Sequence, residues 1–337
     1  MLYLVHRHAT RYMAGEMIRP SANLPYGNYI RLLCQRMTAM MRGILSVPCQ
    51  ASINTSCPSY FDVTTCSLDL YSQIANMASH ENKTVIVTGC TSGIGLATTL
   101  LFLSRKARVF GIDISPFTHE LDAAQSASFA FHQADICAPG ASETAVTACQ
   151  AKIGRQIHVL ANVAGVADNY GSVDTLTDAA WDRVIAINLT APVRLMRAVI
   201  PIMREHKSGA IVNVGSLSSK CGATAGVAYT ASKHGIAGAT KNVAFRFRHE
   251  GITCNCVLPG VVETNIQQSI KAETCDHDAL KLLSPIHNLQ FAGNQLRIEQ
   301  AMRPSDIAEA IVFLSSHHAK AINGLMMSVD TGLCTLG

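Results

Sequence analysis

One stretch constrains this chain more than any other: KTVIVTGCTSGIG, Lys83 to Gly95, in which a β-branched apolar run breaks into three glycines and then into helix-forming sequence. Lys83 to Thr88 reads as a buried parallel strand, and Gly93 to about Ser104 as the helix that follows it. Gly89, Gly93 and Gly95, with Ser92 and Ile94 between them, let the backbone turn sharply and approach a pyrophosphate. Free N–H groups and the helix dipole would then face the phosphates. The spacing is TGxxxGxG, and a glycine triplet alone is equally what an ordinary glycine-rich turn presents.

At 337 residues the chain is long enough for one large α/β domain or two small ones, and 48% hydrophobic against 15% charged residues makes it globular. Residues 1–76 hold six Arg, no Lys and three acidic residues, which leaves residues 77–337 with 21 basic against 20 acidic side chains. That balance provides no basic field for nucleic acid. The twelve cysteines are scattered without a CxxC pair, which favours a reducing, cytoplasmic setting over a disulfide framework. No uninterrupted apolar run is long enough to predict a membrane-spanning helix. The first 76 residues mix Arg, Met, Pro and Cys without a sustained period. They read as a disordered or non-native extension ahead of a second start at Met77, with a mitochondrial presequence as the alternative.

From Met77 onward strand and helix signals alternate. Strands are predicted at Lys83–Thr88, Ala107–Ile112, Ser128–Gln133, Ile157–Ala161, Ala210–Val214, Ile252–Leu258 and Leu325–Val329. The pattern predicts an α/β fold: a doubly wound, Rossmann-type, mostly parallel sheet with helices on both faces. Residues 77–337 are expected to form one such domain. Asp113 ends the second strand, where a carboxylate would accept bonds from the adenosine ribose and repel the extra phosphate of NADP, so NAD is the expected cofactor, with NADP as the alternative. Asp135 follows the third strand, at the level of the adenine. Asn162, Ala164 and Gly165, in LANVAG, offer small side chains where backbone must pass close to the cofactor, and the Asn162 amide can tie neighbouring strands. A long helical pattern over Asp178 to Glu205 carries Asn188, which needs a buried partner, and Pro192 and Pro201, which should bend it.

The chemistry concentrates in IVNVGSLSSKCGATAGVAYTASKHG. Ser216 closes a strand, Tyr229 opens a helix and Lys233 follows one turn later on the same face. Taking a hydride from an alcohol carbon requires taking its hydroxyl proton too, and a free phenol, with a pKa near 10, is a poor base at neutral pH. A lysine ammonium nearby, helped by a positive nicotinamide ring, favours the phenolate. Ser216 would bond the substrate oxygen as alkoxide character develops. Pro259 and Gly260 turn the chain after the sixth strand.

TGCTSGIG, Asp113, NVAG, Asn188, Ser216 and YTASK, in this order, resemble the single-domain short-chain dehydrogenase/reductase family. The resemblance runs from about Lys83 to Thr335. It implies an NAD(P)-dependent oxidoreductase in which Asn188, Ser216, Tyr229 and Lys233 form a catalytic tetrad. Lys233 would also hold the nicotinamide ribose, Asn188 a water behind Lys233. It places Asp135 and Ile136 beside the adenine, Asn162 in the cofactor wall, and Val262 and Thr264 at the nicotinamide carboxamide. Departures are Val163 in NVAG, Gly215 before the serine, and Asp330-Thr331-Gly332 where a double glycine is usual. The family also implies a homodimer or homotetramer built on Asp178–Glu205 and Tyr229–His249, and a substrate lid at about 264–303. Ile266, Ile270, Leu282, Leu283, Ile286 and Phe291 in that lid line a pocket or pack. The helical tendency there covers Thr274–Leu283, and His277 and His287 lack metal-ligand spacing. Ser305 is expected to cap the helix after the lid, with Asp306 in its first turn. The expected reaction interconverts a secondary alcohol and a ketone on an apolar small molecule, such as a polyketide or terpenoid. The alternative is a catalytically idle NAD-sensing or scaffold protein on the same fold.

Overall fold

The inner strands of the described sheet alternate their side chains between two covered faces, which is why they read as mostly apolar runs. The computed structural model describes residues 80–270, 274–289 and 302–333. The expectations for residues 1–76, for Phe291 and for the Ile286 side chain lie outside them. Strands β1 (Thr84–Thr88), β2 (Arg108–Asp113), β3 (Phe129–Gln133), β4 (Val159–Asn162), β5 (Gly209–Val214), β6 (Ile252–Pro259) and β7 (Met326–Val329) form one parallel sheet in the order β3-β2-β1-β4-β5-β6-β7. The order reverses between β1 and β4, the position at which such sheets open a crevice at their carboxyl ends.

In β1, Val85 and Val87 pack with Phe102, Leu103, Ile307 and Ile311, from helices α1 (Gly93–Ser104) and α8 (Pro304–Leu314). Ile86 between them joins the opposite core. There Val146, Leu195, Val199, Met203 and Ile236 come from α3 (Ala141–Lys152), α5 (Ala191–Glu205) and α6 (Val227–Phe247). Each fully buried Leu, Ile, Val, Phe or Met side chain stabilises the fold by about 1.5–3 kcal/mol. Among the described residues there are also two shorter helices, α2 (Ala123–Ala127) and α4 (Asp178–Ile185), and α7 (His277–Leu289). Helix α7 starts and ends later than the sequence pattern implied.

Asp178–Glu205 is not one bent helix. It runs as α4, a π-helical turn at Ala186–Thr190, and α5, with Pro192 in the first turn of α5 and Pro201 inside it. A proline at 192 has no N–H to bond four residues back, and the widened turn absorbs that loss without a break. By length and hydropathy alone this stretch is apolar enough to cross a bilayer, a test that the core helix of a protein passes as well. Its apolar stripe (Leu195, Met196, Val199, Ile200 and Met203) is buried against the sheet. The cap of α8 also differs from expectation: Arg303, not Ser305, is the N-cap, because Pro304 suits the first helical position. The Asp306 carboxylate accepts the Arg303 N–H at 2.9 Å.

One departure noted in the sequence has a physical reason in the packing, and a second sits in a strained conformation. A Cβ at Gly215 would lie 2.6 Å from Leu258 Cδ2 and 2.9 Å from Cys256 Sγ, so glycine is what the packing here admits. Thr331 adopts φ +54°, a left-handed conformation that glycine would hold without strain.

The edge of the core carries a pH-sensitive bond. His158 Nδ1 accepts the Thr84 N–H at 3.0 Å, so that nitrogen must stay unprotonated. Burial, and then the charges of Lys83, Arg108 and His206, push the ring from the usual 6.5 down to about 4. Between those values the unfolded chain binds a proton that the folded ring resists, so this contribution is complete above about pH 6.5 and is lost as pH falls toward 4. Urea midpoints should therefore drop more for wild type than for His158→Asn between about pH 7.5 and about pH 5. The Asn amide oxygen keeps an acceptor without titrating; equal drops would dismiss the ring as the source.

Candidate active site

The crevice at the β1/β4 switch is built by backbone that cannot carry side chains. A Cβ at Gly95 would sit 1.8 Å from the Gly89 carbonyl oxygen, and one at Gly89, whose φ is +71°, 3.0 Å from Ala164 Cα. Gly93, at φ +51°, lies against the Thr264 side chain. Ser92 is the N-cap of α1 but its side chain makes no capping bond, and the first turn holds no acidic residue. The helix start therefore presents its dipole and backbone N–H groups to the crevice.

Thr88 was not singled out in the sequence, yet it sets the width of this crevice. Its hydroxyl accepts the N–H groups of Val163 at 3.0 Å and Ala164 at 3.1 Å, drawing the loop after β4 against the glycine turn. A threonine ending a β-branched strand gave no signal of that role. Asn162 is buried, and its amide donates to Asn213 Oδ1 at 2.8 Å, tying β4 to β5 as anticipated. Asn213 in turn donates to Thr240 Oγ1 of α6 at 2.9 Å, so the sheet and α6 share one polar seam.

A cavity of about 710 Å³ gathers Gly89, Ser92, Gly93, Ile94, Gly95, Ala164, Gly165, Ser216, Tyr229, Lys233, Pro259, Gly260, Val262 and Thr264. Among the described residues of the expected lid, Ile266, Gln267, Ser269 and Leu280 line it, while Leu282 is 80% exposed. Asp113, Asp135, Ile136, Asn162 and Asn188 do not line this cavity. Asp113 folds back on the glycine turn: one carboxylate oxygen accepts the Thr91 N–H at 3.1 Å and the Thr91 hydroxyl at 2.8 Å, the other the Ser115 N–H at 3.0 Å. Asp135 accepts the Cys137 N–H at 2.8 Å, and Ile136 packs on the core face of α3.

Asn188 sits on the π-helical turn with the partners its burial demands. Its Oδ1 accepts the Val166 N–H at 2.9 Å, and its Nδ2 donates to the Val166 carbonyl at 2.9 Å and to Ser232 Oγ at 3.2 Å. It meets Lys233 across Gly165, whose Cβ position lies 3.3 Å from Asn188 Oδ1 and 3.6 Å from Lys233 Nζ. Tyr229 lies in the first turn of α6, which begins at Val227, and lines the same cavity as Ser216, which acts on its phenol. Lys233 Nζ donates to the Val214 carbonyl at 2.9 Å and stands 5.3 Å from the centre of the Tyr229 ring.

Burial dominates the electrostatics of this site. Burial pushes the Tyr229 phenol up to about 12; the Ser216 hydroxyl lowers it, and the Asp168 and Tyr170 charges raise it further. Lys233 is pushed down to about 8, again by burial first, with Cys256 opposing. The ammonium alone therefore does not make the phenol basic. In this low-dielectric pocket desolvation of each charged form outweighs their mutual attraction.

The comparisons with known proteins agree with this geometry. The family model described as short chain dehydrogenase matches residues 83–274. The short chain dehydrogenase prhI of Penicillium brasilianum is 46% identical over 261 residues, covering 77% of this chain and 100% of that protein. The asnovolin H dehydrogenase nvfC of Aspergillus novofumigatus is 44% identical over 261 residues, covering 77% and 100%. Among solved structures, levodione reductase superposes with a TM-score of 0.66 at 26% identity, covering 76% of this chain and 99% of that one. A Beutenbergia cavernae protein assigned as an NAD(P)-dependent gluconate 5-dehydrogenase, solved with NADP at low occupancy, gives 0.65 at 26% identity, covering 77% and 99%. With more than half its length under the family model and whole relatives matched at close to half identity, the chain belongs to the short-chain dehydrogenase family and is an oxidoreductase acting on CH–OH groups.

Proposed function

We propose that residues 77–337 form an NAD(H)-dependent catalytic domain that interconverts a secondary alcohol and a ketone on an apolar small molecule, with Tyr229 as the proton-transfer group. The observation that carries this reading is the convergence of Ser216, Tyr229 and Lys233 on the cavity beside the glycine turn. The residues fit a dinucleotide: Gly89, Gly93 and Gly95 form a cradle that a Cβ at Gly95 would close, at 1.8 Å from the Gly89 oxygen, and the start of α1 faces it without an acidic side chain. Ser92, Gly93, Ile94 and Gly95 would hold the phosphates, Ala164, Gly165 and Lys233 the nicotinamide ribose, and Pro259, Gly260, Val262 and Thr264 the carboxamide side. Asn162 stands behind that wall, Asn188 behind Lys233, and Asp135 and Ile136 beside the adenine.

The cofactor, when bound, supplies the hydride acceptor or donor and, oxidised, a positive charge near the phenol. Tyr229 Oη takes the hydroxyl proton of an alcohol or returns one to a carbonyl oxygen. With its phenol held near 12 in the buried pocket, Tyr229 is protonated at neutral pH and ready to donate. Ser216, which lines the cavity with Tyr229, donates to the substrate oxygen and keeps it in line with Tyr229. The lid contributes Ile266 and Leu280 to the cavity, and apolar walls there suit a hydrophobic substrate. Levodione and asnovolin H are named for two of the similar proteins, and an alicyclic ketone or terpenoid is the substrate class to test first. NAD is favoured because Asp113 ends β2 against the glycine turn, where a carboxylate repels a 2′-phosphate. A homodimer or homotetramer is supported by Val193, which is 39% exposed on α5, and Phe245, which is 68% exposed on α6.

Tyr229→Phe should lower NADH formation with a responsive alcohol by about a hundredfold or more while fluorescence titration finds NADH binding within a few-fold of wild type. A variant with wild-type turnover would remove Tyr229 from the chemistry. Gly95→Ala should abolish NADH binding in the same titration, since its methyl group meets a backbone carbonyl. Asp113→Ala should reduce the ratio of kcat/KM with NAD+ to that with NADP+; a wild-type protein that already prefers NADP+ would overturn the cofactor assignment.

A further inference from the structure

Three Asp, Glu, Lys or Arg side chains are buried among the described residues: Lys233, Asp330 and Asp168, the last 4% exposed. Asp330 ends β7 and accepts the Gly332 N–H at 3.0 Å, while Lys233 is accounted for above. Asp168 lies in the loop after β4, lines the cavity, and forms no ion pair among the described residues. A buried carboxylate without a cation has to be held by hydrogen bonds.

It is held by three backbone N–H groups from two segments. One oxygen accepts from Tyr170 at 3.1 Å and from Gly226 at 3.0 Å, and the other accepts from Tyr229 itself at 2.8 Å. Gly226 is the N-cap of α6, and a Cβ there would stand 2.6 Å from the second oxygen, so glycine admits the carboxylate under the helix start. The Val227 N–H donates to the Gly171 carbonyl at 3.0 Å and closes the same loop over the same turn. Three donors facing two oxygens require a group that only accepts. An asparagine would turn its NH2 toward one of them.

We propose that Asp168 is a positioning residue for the reaction: its carboxylate ties the loop after β4 to the first turn of α6 and sets a fixed negative charge beside the acid/base tyrosine. This rests on the reading of Tyr229 given above. The groups that line the cavity with Tyr229 and act on its phenol are Ser216, Tyr170 and Asp168, and Lys233 stands 5.3 Å from the ring centre. Of these, Asp168 and Tyr170 oppose ionisation. The charge of Asp168 thus keeps Tyr229 a proton donor, the form that carbonyl reduction needs, and offsets the ammonium of Lys233.

The test reads Tyr229 directly. Protein labelled with 13Cζ-tyrosine is titrated by NMR with and without saturating NAD+, the Tyr229 signal being the one that Tyr229→Phe lacks. In Asp168→Asn the ionisation midpoint should fall by about half a pH unit or more, because the opposing charge is gone. Asp168→Glu should hold the wild-type midpoint while turnover slows, because charge is kept and geometry is not. An Asn midpoint equal to wild type reduces Asp168 to a purely structural bond and overturns the proposal, as does a Glu midpoint that matches the neutral variant. If Asp168→Asn does not fold, Asp168→Ser, a neutral acceptor, takes its place under the same criteria. No alcohol is present, so failure of this titration leaves the dehydrogenase reading standing, and failure of every alcohol to yield NADH leaves the titration standing.

Discussion

The Thr88 hydroxyl accepts two consecutive backbone N–H groups, from Val163 and Ala164, and through them holds together the two chain segments between which the strand order reverses. At that switch the chains leave β1 and β4 toward opposite faces of the sheet, and the gap between them becomes the crevice. Its width is the approach of Gly89 to Ala164, close enough that a Cβ on Gly89 would lie 3.0 Å from the Ala164 backbone. Everything that lines the cavity, from the start of α1 to the loop after β6, is referred to this junction.

A second constraint runs from the junction to the reacting group. Asn162 of β4 bonds Asn213 of β5, Asn213 bonds Thr240 of α6, and α6 carries Tyr229 and Lys233. Both amides are buried, so a slip of helix on sheet would break these donor–acceptor pairs out of reach of water. Burial also sets the electrostatics, pushing the phenol up to about 12 and the ammonium down to about 8. Both shifts disfavour charge, and a pocket of that kind responds sharply to any further charge brought into it.

Much of the architecture was legible from residues alone, because strands covered on both faces must be apolar throughout and glycines must stand where backbone touches backbone. The seven strands, the glycine turn and the grouping of Ser216, Tyr229 and Lys233 were read in this way. Less was legible where one local signal competes with another. Ser305 looked like a cap, but Pro304 suits the first helical position and moved the cap to Arg303. Pro192 predicted a bend, and a π-helical turn took it up. The hydropathy of Asp178–Glu205 reports burial against a sheet as readily as it would a bilayer. The spacing brought the Lys233 ammonium near the phenol but gave no measure of how strongly burial opposes charge on either group.

The order of residues by itself determined the alternation of elements, the turn that only glycine can make and the chemical types brought to the site, since these follow from local backbone freedom and periodicity. Tertiary structure alone decided which polar groups face each other: Thr88 with the Val163 and Ala164 amides, Asn188 with Val166, Asp168 with the first turn of α6. The physical reason is that a hydrogen bond between residues 22, 61 or 75 positions apart leaves no trace in spacing or composition. It exists only once the sheet has brought its partners out of water together.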